Sequence, residues 1–461
     1  MSTSISPGGT ADAGGSTATF NARLDRLPVI TRSHRIWVVL LGFLFAFDLV
    51  DLNTFAYVAP ALRVEWGISV TEVGVITSAA FVGMFFGAIV GGRLSDAYGR
   101  RPVVIGAGLC YSAFSLLSAL APNAFMLAAG RVLTGFGLQA MTGILLVYVS
   151  EMFPRERRGR FQSLILAVGL VGVPIAAVAA RLVIPLGHGH WRWVFVIGGM
   201  GAIGAIAAIW LLPESVRWLA AHGRYERAEA ELTQLEDQAR RATGGELPEP
   251  VPTPPPTTGA LRDLLAPWLL KRTIVNSLVM ICLILGLYGF TAWTPTLLVE
   301  RGYTPTQSLT YSLILSIGAV PGAILAWPMV DRWERKTVIF VITTVTAALL
   351  LAFGLVHSLA FVLVSGFLIN VLLQAAVAVL YTYLPEVMPT HLRGLGAGIA
   401  NGAGRLSGVA GGLIVAAVFS QLGYVAVFVY LTLAIFLLGL ILVAAGERTT
   451  NQALEHIAGK R

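Results

Sequence analysis

Twelve apolar stretches, each about as long as a helix needs to cross the hydrocarbon of a bilayer, recur along the chain and leave little room for any fold but a helical membrane bundle. They fall near 36–62, 73–92, 102–121, 124–149, 161–186 and 193–212 in the first half. Six more fall near 272–298, 308–330, 337–356, 360–384, 395–419 and 424–446. The fifth and eighth contain Pro174 and Pro321, which membrane helices tolerate where neighbouring groups satisfy the freed carbonyls. Only 12% of the 461 residues are charged, against 56% hydrophobic; a soluble domain carries about a quarter charged. The expected fold is all-α, with twelve transmembrane helices in two six-helix bundles at 33–213 and 271–446.

The segments outside the bundles differ in character. Residues 1–32 open on a polar, Gly/Ser/Thr-rich stretch without an apolar core, expected to be a disordered tail and not a signal peptide. Residues 214–270 form a linker: a charged amphipathic stretch expected as surface helix, then TGGELPEPVPTPPPTTGA, expected to be extended. Residues 447–461 form a C-terminal tail. Arginines collect on one side, at Arg93, Arg100, Arg101, Arg155, Arg157, Arg158, Arg160, Arg332 and Arg335, and Lys336 joins them. By the positive-inside rule this places both termini and the linker in the cytoplasm, with the chain in the inner membrane. The net charge of +8 therefore reads as a membrane face and not as a nucleic-acid surface. Cys110 and Cys282 lie in apolar runs without metal-ligand spacing, and His188 and His190 read as loop residues. With no nucleotide loop, metal set or nucleophile beside a base, no enzyme, metal or cofactor is expected.

Two landmarks recur at one offset. GRLSDAYGRR (92–101) corresponds to WPMVDRWERK (327–336), and EMFPRERRG (151–159) to EVMPTHLRG (386–394), each displaced by 235 positions. The chain is thus a duplicated six-helix unit, a pattern common in transporters.

These landmarks also carry a family resemblance. GRLSDAYGRR resembles the loop between helices two and three of the major facilitator superfamily. GRVLTGFG (130–137) resembles its fourth-helix motif, whose arginine is Arg131 here. LPESVRWL is similar to the PESPRWL element of its sugar and metabolite branches, with Val216 where proline is usual. The resemblance implies two bundles around a central cavity, rocking to expose it to either side. Trp327 and Glu334 stand where glycines are common, so the second loop is expected to pack less closely than the first. Physically, Gly92 and Gly99 permit close backbone approach, and Asp96 can cluster with Arg100 and Arg101. Glu151 with Arg158, and Glu386 with Arg393, are expected to join a gating latch on that face, with Asp331, Arg332 and Arg335 as the second copy. The alternative for all of them is interfacial anchoring.

Ionisable residues inside spans are costly and mark function by default. Four occur: Asp48, Asp51, Arg131 and Arg405. At 1.5 Å per residue Asp48 lies roughly 18 Å, and Arg405 roughly 15 Å, from the cytoplasmic side, near the midplane where such folds bind substrate. Spacing of three puts Asp48 and Asp51 on one helix face, and two close carboxylates in a poorly solvated site resist ionising together. Arg131 reaches a depth at which it can pair with Asp51. Either aspartate is a candidate proton carrier; a fixed salt bridge to Arg131 is the other reading.

Arg405 has Leu170 as its repeat counterpart and can grip a carboxylate with two parallel hydrogen bonds. Asn401 precedes it by four; Asn370, Gln374 and Tyr381 share a face of helix ten; Gln139 lies two turns below Arg131. Tyr288 and Trp293 on helix seven suit stacking on a flat ligand. Asp48-x-x-Asp51 followed by YVAPAL resembles the first helix of aromatic-acid:proton symporters, with Leu49 and Val50 between the acids. YTYLPEVMPTHLRGLGAG with NGAGRLSGVAGG is similar to the matching region of metabolite:proton symporters. It is also similar to that of animal organic-anion transporters, whose eleventh-helix arginine, matched by Arg405, faces the substrate. The expected function is proton-coupled import of a small organic anion, an aromatic monocarboxylate, by a monomer in the lipid bilayer with protons as the coupling ion. Sugar and organic-cation transport are the alternatives; helix seven, LGLYGFTAWTP, lacks the paired glutamines expected of a sugar carrier.

Overall fold

The computed structural model describes residues 11–251, 261–389 and 392–449, and within them every side chain except those of 11–16, 261 and 330–332. Among the described residues, twelve helices are long and apolar enough to span a membrane. In the first half they are α1 Arg32–Trp66, α2 Val70–Tyr98, α3 Arg100–Ala119, α4 Ala124–Met152, α5 Arg158–Leu186 and α6 Trp191–Leu211. In the second they are α7 Pro267–Thr291, α8 Pro305–Met329, α9 Arg335–Leu355, α10 Leu359–Glu386, α11 Arg393–Leu422 and α12 Tyr424–Ala445. Five of the six pairs of helix starts are separated by 235 residues: Arg32/Pro267, Val70/Pro305, Arg100/Arg335, Ala124/Leu359 and Arg158/Arg393. Even the caps repeat. Ser69 and Glu72 form a capping box at the start of α2, and Thr304 and Gln307 form its counterpart at the start of α8.

Odd-numbered helices begin, and even-numbered ones end, on the face that carries the termini, called here the terminal face. Each half forms its own bundle. The bundles meet where α2 packs on α11 and α5 on α8. Small residues allow the first crossing: a Cβ on Gly74 would lie 2.8 Å from Ala416 Cβ and from the Gly412 carbonyl oxygen, the close approach that membrane helices use in place of hydrophobic exclusion. The second joins two irregular helices. In α5 the helix is interrupted at Val171, and in α8 at Gly318. Pro174 and Pro321 each follow within four residues, where the ring removes a donor and crowds a preceding carbonyl.

The expectation of a disordered tail over 1–32 is corrected for its second half. Ala11–Asp25 is helical, and α1 begins at Arg32. Phe20, Leu24 and Leu27 are buried. Arg23 donates to both Glu229 (2.7 Å) and Glu236 (2.9 Å), and Arg26 to Glu236 at 2.7 Å. The partners lie on linker helix Tyr225–Thr243, which follows the short helix Val216–Ala221. Apolar contact and charge pairing thus offset the entropy of ordering this segment. The linker is helical over Val216–Ala221 and Tyr225–Thr243; its Pro-rich part at 252–260, and the tail from 450, lie outside the described residues.

Candidate functional site

Two charged centres occupy the middle of the N-terminal bundle and its boundary with the other. The first is closed. Asp51 is fully buried, and its Oδ2 accepts a hydrogen bond from Arg131 at 2.8 Å. Arg131 also donates to the Asp51 carbonyl at 3.3 Å. Asp51 Oδ1 accepts from Ser115 on α3, whose hydroxyl also reaches the Phe195 carbonyl at 2.9 Å. Gly198 makes space: a Cβ there would lie 2.8 Å from Asp51 Oδ1. The Arg131 guanidinium sits 5.9 Å from the Phe195 ring centroid. A charge here is matched by an opposite charge and by hydrogen bonds, the condition under which burial is tolerated.

The second centre is open-ended. Asp48, one turn before Asp51, is buried, yet its Oδ1 has no hydrogen-bond partner among the described residues. Thr142 on α4 and Arg405 on α11 are the polar and cationic groups that act on its carboxylate, with Asp51 adding repulsion. Arg405 crosses toward the N-terminal bundle, 3.4 Å from the Tyr288 hydroxyl and 3.7 Å from Met84 sulfur. No carboxylate lies within ion-pair distance of it among the described residues. Tyr288 packs edge-on against Phe81, centroids 4.9 Å apart. Tyr381 donates to Asn401 Oδ1 at 2.9 Å, and Asn401 returns a bond to the Ala397 carbonyl of its own helix. Arg405 and Tyr288 are thus in contact, and Tyr381 is bonded to Asn401, four residues before Arg405 on the same helix.

Other candidates fall elsewhere. Trp293 is buried in an apolar seal beside Phe81, Tyr288 and Gly411, around a gap of only about 10 Å³, and offers no face to a ligand. Asn370 is buried, bonds the Gly366 carbonyl of its own helix, and stands with Gln374 against Gly318 and Gly322 of α8. Both are packing residues of the α8–α10 contact and do not join Arg405. Gln139 is half-buried on α4. The shared face of Asp48 and Asp51 is also divided in practice: one turn of helix sends Asp51 to α3 and α4, while Asp48 lies within reach of α11. Spacing reports direction along one helix; what lies opposite depends on packing.

On the terminal face the ion pairs differ from those expected. Glu151 pairs with Arg100 at 2.8 Å and Glu386 with Arg335 at 3.0 Å, again 235 residues apart. Arg100 also pairs with Asp96 at 3.0 Å. Arg158 instead reaches Asp25, at 3.4 Å, and Arg393 donates to the Pro385 carbonyl. The turn after α4 and after α10 carries each arginine away from the glutamate seven residues earlier. Arg101 donates to the Ile209 carbonyl. Gly99 has a positive φ of 108°, where glycine is favoured, whereas a Cβ on Gly92 would meet open space. The side chains of Asp331 and Arg332 lie outside the described residues.

Sequence reading missed Ser115, Thr142 and Met84 at the centre, and Asp25 and Glu214 at the terminal face. Glu214 accepts from the backbone N–H groups of Arg100 (2.8 Å) and Arg101 (3.2 Å), capping α3. A signal for Ser115 was present: Ser112, Ser115 and Ser118 recur every three residues along one buried face of α3.

Two duplicated bundles of apolar helices, with ionisable side chains at mid-depth and along their contact, define a multi-pass membrane transporter. The chain belongs to the sugar (and other) transporter family of the major facilitator superfamily, whose model matches residues 35–459. It is 38% identical to YyaJ of Bacillus subtilis, provisionally named a metabolite transport protein, over 94% of this chain and 96% of that one. It is 32% identical to the niacin transporter NiaP of Acinetobacter baylyi, over 95% and 99%. Identity to the 3-(3-hydroxy-phenyl)propionate transporter of Escherichia coli is 30%, over 84% and 88%. Among solved structures, the partially occluded inward-open form of the E. coli xylose transporter XylE superposes with a TM-score of 0.72. At 16% identity, covering 91% of this chain and 99% of XylE, this likeness is one of fold.

Proposed function

We propose that this protein is a proton-coupled symporter that imports a small organic anion, an aromatic monocarboxylate, across the cytoplasmic membrane. The observation that carries the reading is Arg405: a guanidinium at the bundle boundary, beside a tyrosine hydroxyl, without a carboxylate partner among the described residues. Such a group is suited to a bidentate carboxylate, and the adjoining, partly buried Tyr288 offers an aromatic ring for a flat apolar body. Relatives named for niacin and for 3-(3-hydroxy-phenyl)propionate, both aromatic acids, support the same class.

In this reading Asp48 carries the proton. Its ionised carboxylate and the substrate's compete for the single Arg405 cation. A proton on Asp48 leaves Arg405 to the substrate; loss of both returns Arg405 to Asp48. Asp51 stays bound to Arg131 and Ser115 and anchors α1 in its bundle. The bundle-joining contacts at Arg63–Glu300 and at Arg181–Thr310 lie on the face away from the termini, supporting an inward-facing state. The arginines of the terminal face support a cytoplasmic assignment for that face.

Proteoliposome uptake tests the reading, using benzoate-like acids, nicotinate, dicarboxylates, sugars and organic cations with and without an inward proton gradient. Gradient-driven accumulation of an aromatic acid is expected. Accumulation of a sugar or a cation, or indifference to the gradient, would overturn it.

A further inference from the structure

A cavity of about 670 Å³ lies away from the transport path, where linker helix Tyr225–Thr243 crosses the terminal-face ends of α1, α3 and α6. Three guanidiniums line it: Arg101, Arg224 and Arg227. None forms an ion pair with a carboxylate among the described residues. Arg227 is exposed, Arg224 stacks over Trp218 at 5.1 Å, and Arg101 Nε is buried without a hydrogen-bond partner among the described residues. Two carboxylates share the wall. Glu214 is committed to the backbone N–H groups of Arg100, Arg101 and Ser215. Burial pushes the Glu231 carboxyl upward, although Arg101 opposes this. The opposite wall is apolar and faces outward from the bundle: Trp210 is 75% exposed and Leu211 44%. Aromatic rings at this level mark the boundary between headgroups and acyl chains.

We propose that this cavity binds the phosphate headgroup of an anionic phospholipid, with the acyl chains running along Trp210 and Leu211. The lipid stitches the linker helix to the N-terminal bundle. A soluble phosphate satisfies the arginines but not the apolar wall, whereas a lipid satisfies both, and basic pockets at this depth recognise anionic headgroups. The cavity is independent of Arg405 and Asp48, so the proposal stands or falls apart from the substrate reading.

The test is native mass spectrometry of the delipidated full-length protein with phosphatidylglycerol, phosphatidylcholine, or sn-glycerol 3-phosphate as probe. One phosphatidylglycerol retained per chain is expected. Retention should fall at least tenfold in the double variant Arg224→Gln/Arg227→Gln and be unchanged in the double variant Arg240→Gln/Arg241→Gln, an equal-charge control on the exposed end of the same helix. Size-exclusion and circular dichroism profiles confirm that the variants remain folded. Equal retention of phosphatidylcholine, equal binding of glycerol phosphate, or equal loss in the control would each overturn the proposal.

Discussion

Asp51 and Arg131 face each other at 2.8 Å with both side chains withdrawn from solvent. Removing one partner strands the other as an uncompensated charge. Arg131→Met is therefore expected to destabilise the N-terminal bundle by about 3–5 kcal/mol, whereas the double variant Arg131→Met/Asp51→Leu should recover much of the loss. Thermal unfolding in one detergent reads both. A double variant no more stable than the single would remove the ion pair as the cause.

Asp48 and Asp51 should separate in transport. Asp48→Asn is expected to abolish uphill accumulation while substrate exchange down its own gradient persists. Asp51→Asn should lower folded yield before it alters coupling. Gradient-driven accumulation surviving in Asp48→Asn would exclude Asp48 as the carrier.

Arg405 should be intolerant of lysine. A point ammonium keeps the charge but loses the planar fork, so Arg405→Lys is expected to raise the substrate KM about tenfold or more, roughly 1.4 kcal/mol. Tyr288→Phe, which removes one hydroxyl, should cost about 1 kcal/mol. Wild-type KM in the lysine variant would show that the substrate does not use the fork.

Arg63 on α1 and Glu300, just beyond α7, join the bundles on the face away from the termini, each about a quarter exposed. An ion pair so placed contributes up to about 1 kcal/mol. Glu300→Gln should thus increase opening on that face by at most about fivefold. The readout is labelling of a cysteine at Thr77 by an impermeant thiol reagent applied from that side. Slower labelling than in the parent would contradict a gate role.

Docking of Ala11–Asp25 should loosen in acid. Hydrogen bonds from Arg23 hold Glu229 below the ordinary carboxylate range. In Glu236 burial pushes upward, but the bonds from Arg23 and Arg26 outweigh it, and the net shift is also downward. Groups whose values fall on docking favour the docked form fully above their ordinary value of 4.5, and that contribution disappears as pH drops through the lowered value. Electron-resonance distances between spin labels at Thr19 and Arg241 should broaden below pH 4.5. An unchanged distribution down to pH 3 would mean that Phe20 and Leu24 hold the helix unaided.

Helix number, the duplication and the Asp51–Arg131 pair were legible because hydropathy, a fixed offset and depth along a helix are one-dimensional quantities. Partner choice was not. Glu151 and Glu386 lie closer in sequence to Arg158 and Arg393 than to the arginines they bind, and only the packing of α3 on α4, and of α9 on α10, brings Arg100 and Arg335 to them. Trp293 shows the same limit from the other side. An amphipathic ring on a cavity-lining helix reads as a ligand surface until the break after Thr291 turns it into the apolar seam. The helix Ala11–Asp25 was hidden by its Gly/Ser/Thr content, because its order comes from tertiary partners and not from its own propensity.

The offset of 235 has a further meaning for how such a chain diversifies. Asp48 has Leu283 as its counterpart, Asp51 has Gly286, Arg131 has Gly366 and Arg405 has Leu170. Where the two copies agree, at the Arg100–Glu151 and Arg335–Glu386 clasps, both halves keep the same ion pair; the ionisable residues at mid-depth each stand in one copy alone. A change of cargo would then require rewriting a handful of mismatched positions, while the hardware of motion, written twice, is left untouched.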